Sequence, residues 1–310
     1  MSQPPVIEAR GLAKTFRSGL VMRHRTQAVQ EVSFEIMPGQ TLAVVGESGC
    51  GKSTLARLAA GLLEPDKGDV RFMGRSLSSW PRKGLRQQLQ VVFQDADGSL
   101  NPVLTARELL LEPLRLHGWS RTQAEERLPS LLDVVGLTPD LLSRHPHEMS
   151  GGQRQRICLA RAMSLRPRLI IADEPVASLD RSVQALILSL LKKSQEREEL
   201  SYLYISHDLA TVRVMADHVA VMLGGVFVET GPVQQVLQHP AHPYTHLLLA
   251  AAGIGEHEPE GVVEGENETS IRSGCPFAAT CPLASPTCQN DLPDLIAIQP
   301  KRTIRCHKVC

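Results

Sequence analysis

The nine residues "GESGCGKST" (46–54) follow the apolar run "TLAVV" and lead into a segment where Leu55, Leu58, Ala59 and Leu62 fall at i, i+3, i+4 and i+7. A strand, a glycine-rich loop and a helix in that order give G-x-x-x-x-G-K-[ST] the context a phosphate-binding loop requires. Gly46, Gly49 and Gly51 let the main chain wrap its amides around phosphate oxygens, Lys52 brings a point charge to the β and γ phosphates, and Ser53 ligates magnesium. Glu47, Ser48, Cys50 and Thr54 complete the nucleotide-binding loop. Cys50 reads as a small filler rather than a redox centre.

Two further apolar runs end in polar residues. "RLIIADE" closes with Asp173 and Glu174, and "YLYISHD" closes with Ser206, His207 and Asp208. Ligands of parallel α/β sheets sit at the carboxyl ends of the strands, so these ends are expected to converge with the loop. Asp173 then holds magnesium through its water shell, Glu174 orients or deprotonates the attacking water, and His207 senses the γ-phosphate. Gln94, closing "LQVVFQ", is a fourth catalytic and magnesium-contacting candidate, chosen by position. After it the pattern turns helical in "LTARELLLEPLRLHG" and "AEERLPSLLDVVGL", which predicts a helical insert over about 101–166.

The stretch "EMSGGQRQRICLARAM" (148–163) ends that insert. Ser150 and Gln153 form a capping box. Gly151 and Gly152 stay unexplained by it, since each glycine inside a helix costs about 1 kcal/mol relative to alanine. Bare amides at a helix N-terminus attract phosphate. The chain already has one phosphate loop, so these glycines are expected to face another subunit's nucleotide.

Lys+Arg and Asp+Glu both number 33, so the chain lacks the basic excess of a nucleic-acid binder and no nucleic-acid partner is expected. No apolar run approaches the roughly 20 residues of a membrane span, and "MSQPPVIEAR" lacks the core of a secretion signal, which points to the cytosol. There, cysteines are thiols or metal ligands rather than disulfides. Cys275, Cys281, Cys288 and Cys306 could give four thiolates to one centre. Their gaps of five, six and seventeen residues are looser than common zinc pairs and do not match ferredoxin spacing. Residues 255–270, with six glutamates and no lysine or arginine, read as a solvated linker, and 17–27 as a solvated loop without assigned function. Gly224-Gly225 in "VAVMLGGVFVET" marks a hairpin.

In this order, the phosphate loop, Gln94, "MSGGQ", "LIIADE", "SLD" (178–180) and His207 resemble the ATP-binding cassette (ABC) transporter ATPases. The resemblance implies an α/β P-loop NTPase fold with a helical subdomain insert and a small cysteine-containing C-terminal extension, divided as 1–240 and 241–310. It implies two cassettes paired head to tail, so that Ser150, Gly151, Gly152 and Gln153 of one close over the γ-phosphate held by the other. Asp180 joins the nucleotide site and Phe16 stacks on adenine. "VGESGCGKSTL", "FQDADGSLNP", "HPHEMSGGQRQR", "HPAHPYT" and the cysteine tail narrow the resemblance to importers of oligopeptides, dipeptides and nickel. Met149, Ser178 and Thr280 depart from the family's usual leucine, alanine and arginine.

The cofactors so implied are ATP, Mg2+ and a [4Fe–4S] cluster on the four cysteines, with Zn2+ as the alternative. Because the tail lies far in sequence from the catalytic motifs, the cluster's expected role is a structural clamp. The implied partners are a second ABC ATPase subunit, copy or paralogue, two transmembrane permease subunits and an extracytoplasmic substrate-binding protein. The chain then sits peripherally on the cytoplasmic face of the inner membrane. Two rival readings are a soluble ABC protein of translation or repair, and a regulatory nucleotide-binding module. The single phosphate loop without sustained heptads opposes the first, and retention of Lys52, Asp173, Glu174 and His207 opposes the second.

Overall fold

The computed structural model describes residues 4–18, 24–95, 98–254 and 274–308. The acidic stretch 255–270, residues 19–23 of the charged stretch, and Ala96 and Asp97 of "FQDADGSLNP" lie outside the described residues. In chain order the first strands are β1 (Ile7–Ser18), β2 (His24–Ile36), β3 (Thr41–Val45), β4 (Lys67–Phe72), β5 (Arg75–Ser76) and β6 (Leu89–Val92). They are followed by β7 (Leu169–Asp173), β8 (Ser201–Ile205), β9 (His218–Leu223), β10 (Val226–Pro232), β11 (Ile296–Gln299) and β12 (Arg302–Ile304). The first helices are α1 (Lys52–Ala59), α2 (Arg82–Gln88), α3 (Ala106–Leu116), α4 (Arg121–Val134) and α5 (Gly151–Met163). Then come α6 (Arg181–Glu198), α7 (Leu209–Met215), α8 (Val233–Gln238), α9 (Pro243–Ala251) and α10 (Pro286–Asn290).

The chain forms two compact units. One comprises Met1–Ile7, Ile36–Gln40 and Phe72–Tyr204. Its strands β6 and β7 pair in parallel from Leu89↔Leu169 to Val92↔Ala172, with β8 beside β7. All five residues of β7 are buried, as a near-continuous apolar run in a parallel sheet requires. The helices of this unit include α3, α4 and α5, each opened by a capping box: Thr105 with Glu108, Ser120 with Gln123, and Ser150 with Gln153. Glu112 of α3 and Arg161 of α5 form an ion pair at 2.7 Å.

The other unit comprises Glu8–Glu35, Thr41–Arg71 and Ile205–Cys310. Here β2, β1 and β4 are neighbours, and a second layer runs β11-β12-β10-β9-β3. β3 is parallel to β9 from Leu42↔His218 to Val45↔Val221, and β9 returns antiparallel into β10 through Gly224-Gly225. Both turn glycines have positive φ, 54° and 85°, which a two-residue hairpin of this hand demands. The tail joins this layer, because β12 pairs antiparallel with β10 at Glu229↔Ile304 and Thr230↔Thr303. Beneath that pairing Arg302 Nη2 lies 2.7 Å from the Glu229 carboxylate, both buried, and Glu229 also accepts from the amides of Ala241 and His242. A buried pair satisfied in this way tolerates the loss of neither member.

One expectation is corrected. Leu62 was expected on the apolar face of the helix after the phosphate loop, but α1 ends at Ala59 and Leu62 is 47% exposed. The main chain turns back there, Gly61 N bonding Leu58 O and Leu62 N bonding Arg57 O, so the last carbonyls of the helix are satisfied by the turn.

Candidate functional site

The loop after β3 is shaped by glycines that have no substitute. Gly46 and Gly51 adopt φ of 151° and 112°, and a Cβ on either would fall 2.1 Å from Met222 O or 2.0 Å from Ala28 O. The loop therefore lies flush against β9 and β2. Lys52, the first residue of α1, is buried, and its Nζ donates to the carbonyls of Gly46 at 2.8 Å and Glu47 at 2.7 Å. An ammonium held by main-chain carbonyls at a helix N-terminus is suited to an anionic phosphate. Cys50 is buried, with its thiol raised by desolvation, so it stays protonated and fills space. Glu47, Ser48 and Gly49 form the exposed crest, and Ser53 and Thr54 are half-buried in the first turn of α1.

Phe16 is 42% exposed and lines a cleft of about 630 Å³ with Lys14, Thr15, Arg17, Arg25, Leu63 and Asp66. Asp66 shapes that cleft by accepting from Lys14 Nζ and the Thr15 amide, and these bonds hold its carboxyl below its usual range. His207 follows β8 and is exposed, between Ser206 and Asp208, whose main-chain and side-chain bonds start α7.

In the first unit, Asp173 is the buried last residue of β7 and Glu174 is the next residue. Gln94 stands two residues beyond β6, and its Nε2 donates to Glu174 Oε2 at 3.1 Å. Glu174 occupies the left-handed region at φ 50°, ahead of Pro175. This conformation costs a non-glycine residue about 1–3 kcal/mol, and such positions concentrate where function over-determines the backbone. Ser150 Oγ accepts from Gln153 N at 3.2 Å and Gln153 Oε1 accepts from Ser150 N at 2.9 Å, which builds the expected cap of α5. A Cβ on Gly151 would meet only Arg154 at 3.9 Å, whereas one on Gly152 would come within 3.0 Å of Leu179. Close packing thus accounts for Gly152 and leaves Gly151 open to an approaching group. Asp180 caps α6, accepting from Val183 N at 2.9 Å and Ser182 Oγ at 2.5 Å, and those bonds lower its pKa.

The four tail cysteines form no disulfide. Cys275 and Cys288 are buried, Cys281 and Cys306 half-buried. Burial pushes the Cys275 thiol up to about 11, and the charges of Cys288, Cys306 and Cys281 add to the rise, so all four share one electrostatic environment. Cys281 is raised in the same way. At Cys288 burial also raises the thiol, but the Ser285 hydroxyl 3.3 Å away and Lys308 outweigh it and lower the pKa. Among the described residues no three His, Cys, Asp or Glu side chains are arranged to hold a single metal ion.

Sequence reading passed over Tyr244 and His242, which it used only as letters of "HPAHPYT". The Tyr244 hydroxyl accepts from the Glu47 amide at 3.1 Å, and His242 Nδ1 accepts from Tyr244 N at 3.0 Å at the start of α9. A buried aromatic after a helix-capping histidine was the available signal.

No helix among the described residues is long and apolar enough to cross a membrane. Residues 29–177 match the family model described as ABC transporter, and 228–288 match the oligopeptide/dipeptide transporter C-terminal region. The chain is 41% identical over 322 residues to the oligopeptide transport ATP-binding protein AppF of Bacillus subtilis, covering 99% of this chain and 98% of that protein. It is 43% identical over 283 residues to the oligopeptide transport ATP-binding protein OppF of Escherichia coli, covering 87% and 84%. A dimeric ATP-binding cassette solved in a post-hydrolysis state with ADP and Pi superposes with a TM-score of 0.67 at 26% identity, over 73% of this chain and 98% of that one. The α/β fold is therefore that of a P-loop ABC cassette, and the chain belongs to the ATP-binding subunits of the oligopeptide and dipeptide ABC transporter family.

Proposed function

We infer that this chain is the ATP-hydrolysing subunit of a membrane importer and energises the uptake of peptides. The observation that carries the reading is the pairing of Gln94 with Glu174 at the ends of parallel strands β6 and β7, beside the buried Asp173, in a chain whose phosphate loop is intact. Glu174 orients or deprotonates water, Lys52 binds phosphate, and His207 reads the γ-phosphate. Ser53, Asp173 and Gln94 carry the oxygen donors magnesium takes and would hold it, and the metal would supply charge neutralisation at the phosphates. Phe16 offers its exposed ring to the base. Residues 1–240 bind nucleotide in this reading, and 241–310 form the cysteine-bearing extension.

Two cassettes close on ATP, with Ser150, Gly151, Gly152 and Gln153 of each facing the nucleotide of the other, and Asp180 belongs to the nucleotide site. The openness around Gly151 supports this. The partners are a second ATPase subunit, two permease subunits and an extracytoplasmic binding protein, and the complex holds the chain on the cytoplasmic face of the membrane. The cargo is a peptide, in keeping with the names of the relatives, rather than nickel. The four tail thiols hold a [4Fe–4S] cluster, with zinc the alternative; none of the four is in a disulfide, and Cys275 feels the charges of the other three.

Purification from membranes tests the reading. Two permease subunits and a second ATPase should co-purify, and a peptide-loaded binding protein should stimulate hydrolysis. An active ATPase that carries no membrane subunits overturns it, and stimulation by a nickel-loaded binding protein alone overturns the peptide assignment.

A further inference from the structure

The Gly46–Glu47 peptide unit is held at both ends. Its carbonyl accepts from Lys52 Nζ at 2.8 Å, and its N–H donates to the Tyr244 hydroxyl at 3.1 Å. Because a peptide unit is planar, bonding both ends fixes the rotation of the first link in the phosphate loop. Tyr244 is buried, and burial together with the nearby Glu47 carboxylate keeps its hydroxyl protonated.

Behind Tyr244 the contacts lead into the tail. The ring of Phe277 meets Tyr244 edge-on with centroids 5.6 Å apart and lies 6.1 Å from the ring of His242. His242 accepts from the Tyr244 amide on Nδ1, and the main chain at Arg305, next to Cys306, is near enough to its ring to oppose the fall in its pKa. A second route runs beside this one. Pro276 packs on the β9–β10 turn so closely that a Cβ on Gly224 would fall 2.7 Å from it, and the next residue, Gly225, donates its N–H to Cys50 O at 3.0 Å. Pro276 and Phe277 directly follow Cys275. Residues flanking two of the four tail cysteines thus reach the phosphate loop through two or three contacts.

We propose that Tyr244 is a positioning residue of the phosphate loop, and that through His242, Phe277 and Arg305 it couples the packing of the cysteine tail to the affinity for nucleotide. The proposal rests on residues 46–54 binding phosphate and extends that reading to a regulation of the same site. A tail that loosens around Cys275 or Cys306 releases Tyr244, the Gly46–Glu47 peptide regains its freedom, and nucleotide must then order the loop on binding. Affinity falls and chemistry at the bound nucleotide is spared.

The test uses the full chain for MgATP binding and the assembled complex for steady-state hydrolysis. Tyr244→Phe keeps the buried ring and removes only the hydroxyl. It should weaken MgATP binding about three- to tenfold, the range of one lost hydrogen bond, and raise KM more than it lowers kcat. Phe277→Leu, and separately His242→Asn, which keeps a helix-capping oxygen but lacks the ring that meets Phe277, should each weaken binding in the wild-type background. Neither should weaken it further in Tyr244→Phe, because groups acting through one residue are not additive. Unchanged affinity in Tyr244→Phe, a fall in kcat at constant KM, or additive double variants overturn the proposal. Lys52→Ala separates the two readings: if it too leaves MgATP binding unchanged, the phosphate-loop assignment fails, and if it alone loses binding, only the coupling fails.

Discussion

Gln94 Nε2 donates to Glu174 Oε2 across 3.1 Å, joining the residue two places past β6 to the residue just past β7. The parallel pairing of those strands brings the two ends side by side. Glu174→Gln replaces the carboxylate with an amide of the same size. Turnover in the assembled complex should fall about 10²- to 10⁴-fold while MgATP binding is kept, the scale of losing a general base. Near-normal steady-state hydrolysis removes Glu174 from that role.

Gln94→Ala removes the hydrogen bond but leaves the carboxylate. Nucleotide binding should persist, while the increase in hydrolysis on adding the loaded binding protein should shrink severalfold, because coupling needs a link whose two states both sites bias. The ratio of transport to hydrolysis is the readout. An unchanged ratio makes Gln94 a bystander.

Gly151→Asp places a carboxylate at the open start of α5, where a Cβ has room. The variant should bind MgATP on its own phosphate loop with wild-type affinity and yet abolish hydrolysis at the partner's site, through repulsion of the facing phosphate. In a complex with two distinguishable ATPase subunits, trapping of labelled nucleotide shows which site is lost. Loss of binding in cis with turnover in trans contradicts the paired-cassette reading.

His242 gives the stability a pH dependence. Burial lowers its pKa from 6.5 to about 4; the charge of His246 acts in the same direction, and the main chain at Arg305 opposes it. Nearby Glu229 is already engaged by Arg302. The unfolded chain therefore binds the extra proton between pH 6.5 and 4. Stability should be full above about pH 6.5 and fall as pH drops through that window, by about 2–3 kcal/mol at pH 4.5. Urea midpoints at pH 7 and pH 4.5 measure it, and His242→Asn should flatten the difference.

Protein purified without oxygen should be brown and carry iron with acid-labile sulfide. Cys281→Ser should lose both. Colourless protein with one zinc per chain reverses the assignment of the tail.

Much of this molecule is written in short-range patterns. The phosphate loop between an apolar strand and an amphipathic helix, the capping box of Ser150 and Gln153, and the Gly224-Gly225 hairpin all depend on residues within a few positions, and all were legible. Asp180 was named only through the family resemblance, although its capping of α6 follows the same local rule. What escaped reading depends on distance along the chain. Tyr244 meets a residue 197 positions away, and no periodicity in "HPAHPYT" names that partner. The left-handed backbone of Glu174 also escaped, since a glutamate ahead of a proline is not a residue pair that signals positive φ. The over-extended reading of Leu62 came from counting apolar spacing through a turn.

The pairing of β12 with β10 sets an order on biosynthesis. Glu229 is synthesised with the hairpin that backs the phosphate loop, but the guanidinium that neutralises it arrives 73 residues later. Until Arg302 leaves the ribosome, the sheet of this unit carries an interior carboxylate without its counter-ion, a state about 3–5 kcal/mol less stable than the finished one. A chain stalled or clipped before Arg302 should therefore unfold at a lower urea concentration than the finished one.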